Sequence, residues 1–224
     1  MTKTFFDEAA ADYDAWYETE VGKVADQVER VLVQRMFQPK GSRVLEVGCG
    51  TGQHTVWLVQ EGYDVTAVDV STEMMARART KIAQLGGRVQ WWQADIEDIL
   101  DQLGRFNGIF SMTTFEFVPQ PERILAKLYE ELEPGGCLLI GMIAGESPWG
   151  EYYQEVAKEN PTSVFARAKL YTERDIRGWQ VGGDFELGRA LFFPPSVATA
   201  TEALALEEKG TGRAGFIVAK WVKA

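Results

Sequence analysis

The chain has 224 residues, 46% hydrophobic and 25% charged, with a formal net charge of −10. That is enough for one domain with a substantial core, in the composition range of soluble globular proteins. The acidic balance argues against a broad electrostatic footprint for DNA, RNA or an anionic membrane. No apolar run approaches membrane-spanning length, and no basic start precedes an apolar run, so neither a span nor a signal peptide is expected. Cys49 and Cys137 read as free buried thiols of a reducing cytoplasm rather than as a disulfide.

Residues 4–19 read as one amphipathic helix, with Phe6, Ala10, Tyr13 and Tyr17 on a single stripe. A second helix follows at about 21–37, with Val24, Val28, Val31 and Leu32 inward, and Pro39-Lys40-Gly41 ends it. Val44-Leu45-Glu46-Val47 is then a short strand. It runs through Gly48-Cys49-Gly50-Thr51-Gly52 into a helix carrying Trp57 and Leu58. A strand, a glycine loop and a helix in series place backbone N–H groups and a positive helix end at the strand's carboxyl edge. Glycine suits a sharp turn that a ligand must approach closely. The third glycine of the dinucleotide fingerprint, needed for helix–strand packing, is replaced by Gln53. Glu46, two residues before the first glycine, suits a cationic amino group and not a pyrophosphate. A ligand with an amino acid end and no phosphate fits both facts.

The helix at 52–61 closes at Gly62, and a second strand at 65–69 ends on Asp69, twenty-one residues beyond Gly48. In a βαβ unit that spacing sets the acid beside the ribose of a nucleoside. Ser71 is better placed to cap the helix at 72–84, which leaves Asp69 for the ribose hydroxyls. The third strand is 89–93, with Trp91 and Trp92 on opposite faces, and Ala94-Asp95-Ile96 follows it.

VLEVGCGTG at 44–52 resembles motif I of the class I S-adenosylmethionine-dependent methyltransferases, of the small-molecule type. The similarity extends over most of the chain, including Asp69, Asp95 and the turn at 132–136, LEPGG. The resemblance implies that S-adenosyl-L-methionine is the cofactor and S-adenosyl-L-homocysteine the product. It implies cofactor contacts from Tyr13, Glu46, Gly48, Cys49, Gly50, Gly52, Asp69, Val70, Met74, Asp95, Ile96, Ser111 and Met112. Asp95 would accept from the adenine amino group while the Ile96 N–H donates to the ring. Family members with a similar Phe-Asp…Tyr-Asp segment use it as a lid; Tyr13 either serves that lid or docks the helix. No metal site is expected.

The fourth strand, 107–112, leads into Thr113-Thr114-Phe115-Glu116-Phe117-Val118. Many such methyltransferases carry histidines in this segment; here Glu116 and Phe117 stand in their places. Glu116 is the candidate base, provided burial raises its pKa; the alternative is a solvated or salt-bridged loop residue. Phe115 and Phe117 are expected to pack. His54, the only histidine, reads as a near-site or surface residue and not as the base. A helix from Pro121, the Pro134-Gly135-Gly136 turn and a fifth strand at 137–141 follow. Residues 145–180 look least regular. Their aromatics are expected mainly to pack, around an acceptor that is apolar or aromatic. A helix at 172–179, a strand at 185–193, a helix at 197–208 and a last strand at 215–222 complete the chain.

The expected fold is α/β: a Rossmann-like, seven-stranded, mostly parallel sheet with helices on both faces and an antiparallel last strand. The expected divisions of the single domain are a helical lid (1–40), a cofactor-binding core (41–144), a substrate-side insertion (145–181) and C-terminal strands (182–224). The expected activity is methyl transfer to a small molecule by a cytoplasmic monomer or homodimer, with no nucleic acid partner and no membrane span. The rivals are a non-catalytic or regulatory cofactor binder of the same fold and an NAD-linked oxidoreductase, against which Gln53 and Glu46 speak. The N-terminal segment partly resembles the quinone-biosynthesis C-methyltransferases.

Overall fold

A computed structural model describes residues 4–224. The chain opens with α1 (Phe5–Ala9), α2 (Ala15–Glu18) and the long α3 (Glu20–Met36). Strands and helices then alternate: β1 (Arg43–Val47), α4 (Gln53–Gln60), β2 (Asp64–Asp69), α5 (Thr72–Gln84) and β3 (Val89–Gln93). Next come α6 (Ile96–Leu103), β4 (Phe106–Met112), α7 (Pro121–Glu130) and β5 (Leu132–Ile143). Beyond them lie α8 (Pro148–Glu159), a 3-10 turn (Val164–Arg167) and α9 (Glu173–Gly178). The chain closes with β6 (Asp184–Ala190), α10 (Ala200–Lys209) and β7 (Phe216–Val222).

The strands of the described residues form one sheet in the order β3-β2-β1-β4-β5-β7-β6. The first five are parallel, and β7 runs antiparallel between β5 and β6. The strand order reverses between β1 and β4, so the connections leaving their carboxyl ends go to opposite sides and open a crevice. Alternation along β1 feeds two cores. Val44 packs with Trp57, Leu58 and Phe110 on one face, with α3 supplying Val24, Leu32 and Met36. Leu45 and Val47 pack on the other face with Ile124, Leu125 and Leu128 of α7. Each fully buried leucine contributes about 1.5–3 kcal/mol. Trp91 and Trp92 join opposite cores, as their spacing requires. Both cysteines are free and buried. Among the described residues no helix is long and apolar enough to cross a membrane.

Three expected elements differ. The turn expected at 133–136 lies within β5, which starts at Leu132 and shifts its register against β4 between Phe106 and Gly108. The single helix over 4–19 is broken. Between α1 and α2 the chain bonds through tight turns, Asp12 N–H to the Ala9 carbonyl (3.2 Å) and Ala15 N–H to the Asp12 carbonyl (3.0 Å). Asp and Tyr are weak helix formers, and the break lets Asp7 and Asp14 bond to separate parts of the sheet's edge. Thr19 then caps α3 by accepting from the Gly22 N–H at 3.0 Å. The stretch 145–180 is also more regular than expected. Ser147 caps α8, with Pro148 in its first turn, and Thr172 and Asp175 form a capping box on α9.

Candidate active site

A cleft of about 670 Å³ lies at the carboxyl ends of the central strands, within the size range of ligand sites. Its walls include Gly48 and Gly50, Asp69 and Val70, Met74, Asp95 and Ile96, and Met112. The loop after β1 takes left-handed backbone at Gly48 (φ 73), Gly50 (φ 51) and Gly52 (φ 84), which a Cβ would strain. The three glycines differ in what surrounds them. A Cβ at Gly48 would meet Thr114 Oγ1 at 2.2 Å, and one at Gly52 would meet Ala78 at 2.9 Å. At Gly50 nothing lies within 4 Å. Gly48 and Gly52 therefore serve packing, while Gly50 leaves a space on the cleft.

The loop's N–H groups are mostly taken. Gly48 and Cys49 donate to the Val68 carbonyl at 2.8 and 3.1 Å, and Gly52 donates to Cys49 at 2.9 Å. Gly50 donates to Asp69 Oδ2 at 2.8 Å. The expectation that this backbone offers its donors to a ligand is corrected for these four groups: their partners are the end of β2 and the loop itself. Asp69 also accepts from the Ser71 N–H at 2.8 Å. Burial raises its pKa while the Ser71, Gly50 and Val70 N–H groups oppose that rise. Each of its oxygens keeps acceptor capacity beyond its one short backbone bond. Ser71 caps α5, accepting from the Met74 N–H at 3.1 Å. Asp95 is exposed at the rim and caps α6 through the Glu97 N–H at 3.0 Å.

Four expected contact residues do not line the cleft: Glu46, Cys49, Gly52 and Ser111. Glu46 is 2% exposed and accepts from Thr55 Oγ1 at 2.6 Å, behind the loop. Burial pushes its pKa up to about 8 against the Thr55 hydrogen bond. Burial raises the Cys49 thiol well above its ordinary value, and Ser111 Oγ donates to the Val47 carbonyl at 2.7 Å. His54 lines neither this cleft nor the cavity described below. It lies 5.7 Å from the Phe110 ring, and burial lowers its pKa to about 4.

The N-terminal segment is pinned over the cleft by two acids that sequence reasoning missed. Asp7 Oδ1 accepts from Ser71 Oγ at 2.6 Å and the Glu73 N–H at 3.2 Å. Asp14 accepts from Thr51 Oγ1 at 2.6 Å and pairs with Lys81 at 2.9 Å. Burial works against ionised Asp7, but its hydrogen bonds from Ser71, Glu73 and Thr4 prevail and hold its pKa at about 2. The repeated aromatic–Asp pairs, Phe6-Asp7 and Tyr13-Asp14, were the available signal.

A second cavity, about 210 Å³, adjoins the first; Phe6, Tyr13, Thr113 and Phe117 line both. Thr113 has a φ of 46°, left-handed backbone in a branched residue where the two spaces meet. The second cavity is walled by aromatics of the broken N-terminal segment and of the insertion. Phe165 stacks on Tyr153 at 4.0 Å between ring centres, and Trp149 donates to the Phe193 carbonyl at 2.7 Å. Tyr171 and Trp179 pack on each other instead, at 5.1 Å. Phe115 is buried in the core as expected. Glu116 is not a solvated or salt-bridged loop residue: it is 3% exposed and lines this cavity. Among the described residues no group of three or more His, Cys, Asp or Glu is arranged to hold a metal ion.

A Rossmann-like sheet with an antiparallel β7, a glycine loop after β1 and an acid ending β2 define the class: the chain belongs to the class I S-adenosylmethionine-dependent methyltransferases. Residues 44–136 match the methyltransferase domain family model. A phosphatidylethanolamine N-methyltransferase of Cereibacter sphaeroides is 31% identical over 138 residues, 60% of this chain and 67% of that protein. A ubiquinone biosynthesis O-methyltransferase of Xanthomonas axonopodis pv. citri is 33% identical over 112 residues, 50% of this chain and 47% of that one. The chain thus spans about half the length of the ubiquinone-pathway relatives it matches. In fold it resembles a methyltransferase of Thermotoga maritima described as a possible histamine N-methyltransferase. Their TM-score is 0.77 at 24% identity, covering 98% of this chain and 99% of that one.

Proposed function

We propose that the protein transfers the methyl group of S-adenosylmethionine to a small molecule held in the second cavity. One observation carries this reading: the glycine-loop cleft and the aromatic cavity share Phe6, Tyr13, Thr113 and Phe117 as a common boundary. Two molecules held on either side of that boundary meet there. Fixing two reactants in line can contribute on the order of 7–11 kcal/mol.

The cleft residues suit the cofactor. Asp69 accepts from the ribose hydroxyls. The Asp95 carboxylate and the Ile96 N–H read the adenine edge. Val70, Met74 and Met112 give apolar contact, and the space over Gly50 admits the chain between sugar and amino acid. Glu46, behind the loop and protonated in the free protein, ionises when the cationic amino end comes near. When bound, S-adenosylmethionine supplies a methyl group already activated by its sulfonium. The residues' task is therefore to orient both molecules and exclude water. In this reading 1–40 acts as a lid (residues 1–3 of it lie outside the described residues), 41–144 holds the cofactor, 145–181 shapes the acceptor side and 182–224 completes the sheet. It works in the cytoplasm as a monomer or homodimer. The relatives' names point to oxygen acceptors in one case and a nitrogen acceptor in the other.

Calorimetric titration with S-adenosylmethionine, S-adenosylhomocysteine and NADH tests the assignment. Micromolar binding of the first two and none of the third is expected. Asp69→Ala should weaken binding at least tenfold, about 1.4 kcal/mol. Binding of NADH alone would contradict the reading. Cofactor binding with no methylated product from any acceptor would favour a non-catalytic binder.

A further inference from the structure

We propose that the acceptor is a small amine, taken up as its ammonium ion between the Glu29 and Glu116 carboxylates of the aromatic cavity. The proposal rests on the two-cavity reading above and narrows it. Glu29, on α3, and Glu116, after β4, both line this cavity, and no lysine, arginine or histidine does. Glu116 Oε1 accepts from the Ile143 N–H at 3.0 Å. Its Oε2 is buried with no partner, and among the described residues neither acid forms an ion pair. A buried carboxylate oxygen without a donor is costly, and native structures rarely keep one without a use.

The remaining walls favour the same ligand. Tyr13, Trp16, Tyr17, Trp149 and Tyr153 surround the acids, and aromatic rings attract a cation through their π-systems. A phenolate would instead bring a third acidic group beside two acids, and an alcohol would leave both acids protonated, with no charge for the cavity to recognise. A volume near 210 Å³, below the ~300–1,000 Å³ of ordinary ligand pockets, limits the amine to a small one.

Burial raises both acids in the empty cavity. Glu116 is pushed up to about 7 against the Ile143 N–H, and Glu29 goes well above the usual carboxylate range, with Asp26 and Glu116 adding to the effect. An acid near 7 suits a proton acceptor at neutral pH. The step balances as follows: the ammonium proton passes to the Glu116 carboxylate, and the freed nitrogen lone pair bonds the methyl carbon. The S–CH3 electron pair stays on sulfur, and the acid proton leaves to solvent.

The test is titration of the S-adenosylhomocysteine complex with 2-phenylethylamine, its trimethylammonium analogue and 2-phenylethanol, and with methylamine-to-butylamine beside the matched alcohols. At least one amine should bind ten times more tightly than its alcohol. Glu29→Gln and Glu116→Gln should each remove most of that preference while S-adenosylhomocysteine affinity stays within twofold, which also certifies the fold. Equal binding of amine and alcohol, no amine binding, or a preference untouched by both variants overturns the proposal while leaving the cofactor reading standing. Failure of S-adenosylhomocysteine to bind the wild-type protein overturns both.

Discussion

Gly48 and Gly50 stand two residues apart in one loop, and the geometry gives them different jobs. A methyl group at Gly48 would strike Thr114, whereas one at Gly50 would project into open space. Gly48→Ala should therefore destabilise the fold by about 1–3 kcal/mol in denaturant unfolding. Gly50→Ala should cost about 1 kcal/mol of backbone strain and weaken cofactor binding at least tenfold; equal stability losses with unchanged affinity would refute the division of roles. Glu46 makes a prediction in pH. Its carboxyl ionises near 4.5 in an ordinary setting and near 8 in the fold, so between those values the folded state binds more protons than the unfolded chain. Its contribution to stability is complete below about 4.5 and is lost as pH rises toward 8, by up to ~1.4 kcal/mol per unit. Urea unfolding from pH 5 to 8 should show a flatter profile for Glu46→Gln than for the wild type; identical slopes would remove the buried-acid account. Glu46 was legible as an acid before the glycine loop. That it lies behind the loop on Thr55, out of the cleft, was not, because the strand's alternation sets its side chain toward α4.

The N-terminal segment is the element on which both cavities depend. Its expected aromatic stripe is present, for Phe6, Tyr13 and Tyr17 all line the second cavity. Its helical continuity is not. Periodicity registered the stripe, but it carried no sign of Asp7 reaching Ser71 or Asp14 reaching Thr51 and Lys81, which are tertiary bonds. Those anchors predict that Asp7→Ala combined with Asp14→Ala speeds amide exchange across residues 5–18 at least tenfold. The double variant should also lower cofactor affinity without lowering the unfolding midpoint of the sheet. Unchanged exchange would show that aromatic packing alone holds the segment. α8 and α9 carried capping residues in their sequence, yet scattered aromatics concealed their regularity.

At the scale of the whole molecule the strand–helix alternation, the glycine loop and the spacing to Asp69 made the α/β class and the edge that carries the cleft readable. The reversal of strand order between β1 and β4 then opens the crevice where those residues gather. The second cavity was not readable, because its walls come from 6–17, Glu29, 113–117, 143–170, Leu191 and Gly215, which only the closed fold brings together. Local patterns report which residues share an element; they do not report which elements share a space. The most direct measurement is a crystal structure of the complex with S-adenosylhomocysteine. The account predicts ribose hydroxyls on Asp69, adenine beside Asp95 and Ile96, and the sulfur directed at the boundary formed by Phe6, Tyr13, Thr113 and Phe117. A sulfur directed away from that boundary, or a ribose out of reach of Asp69, would contradict it.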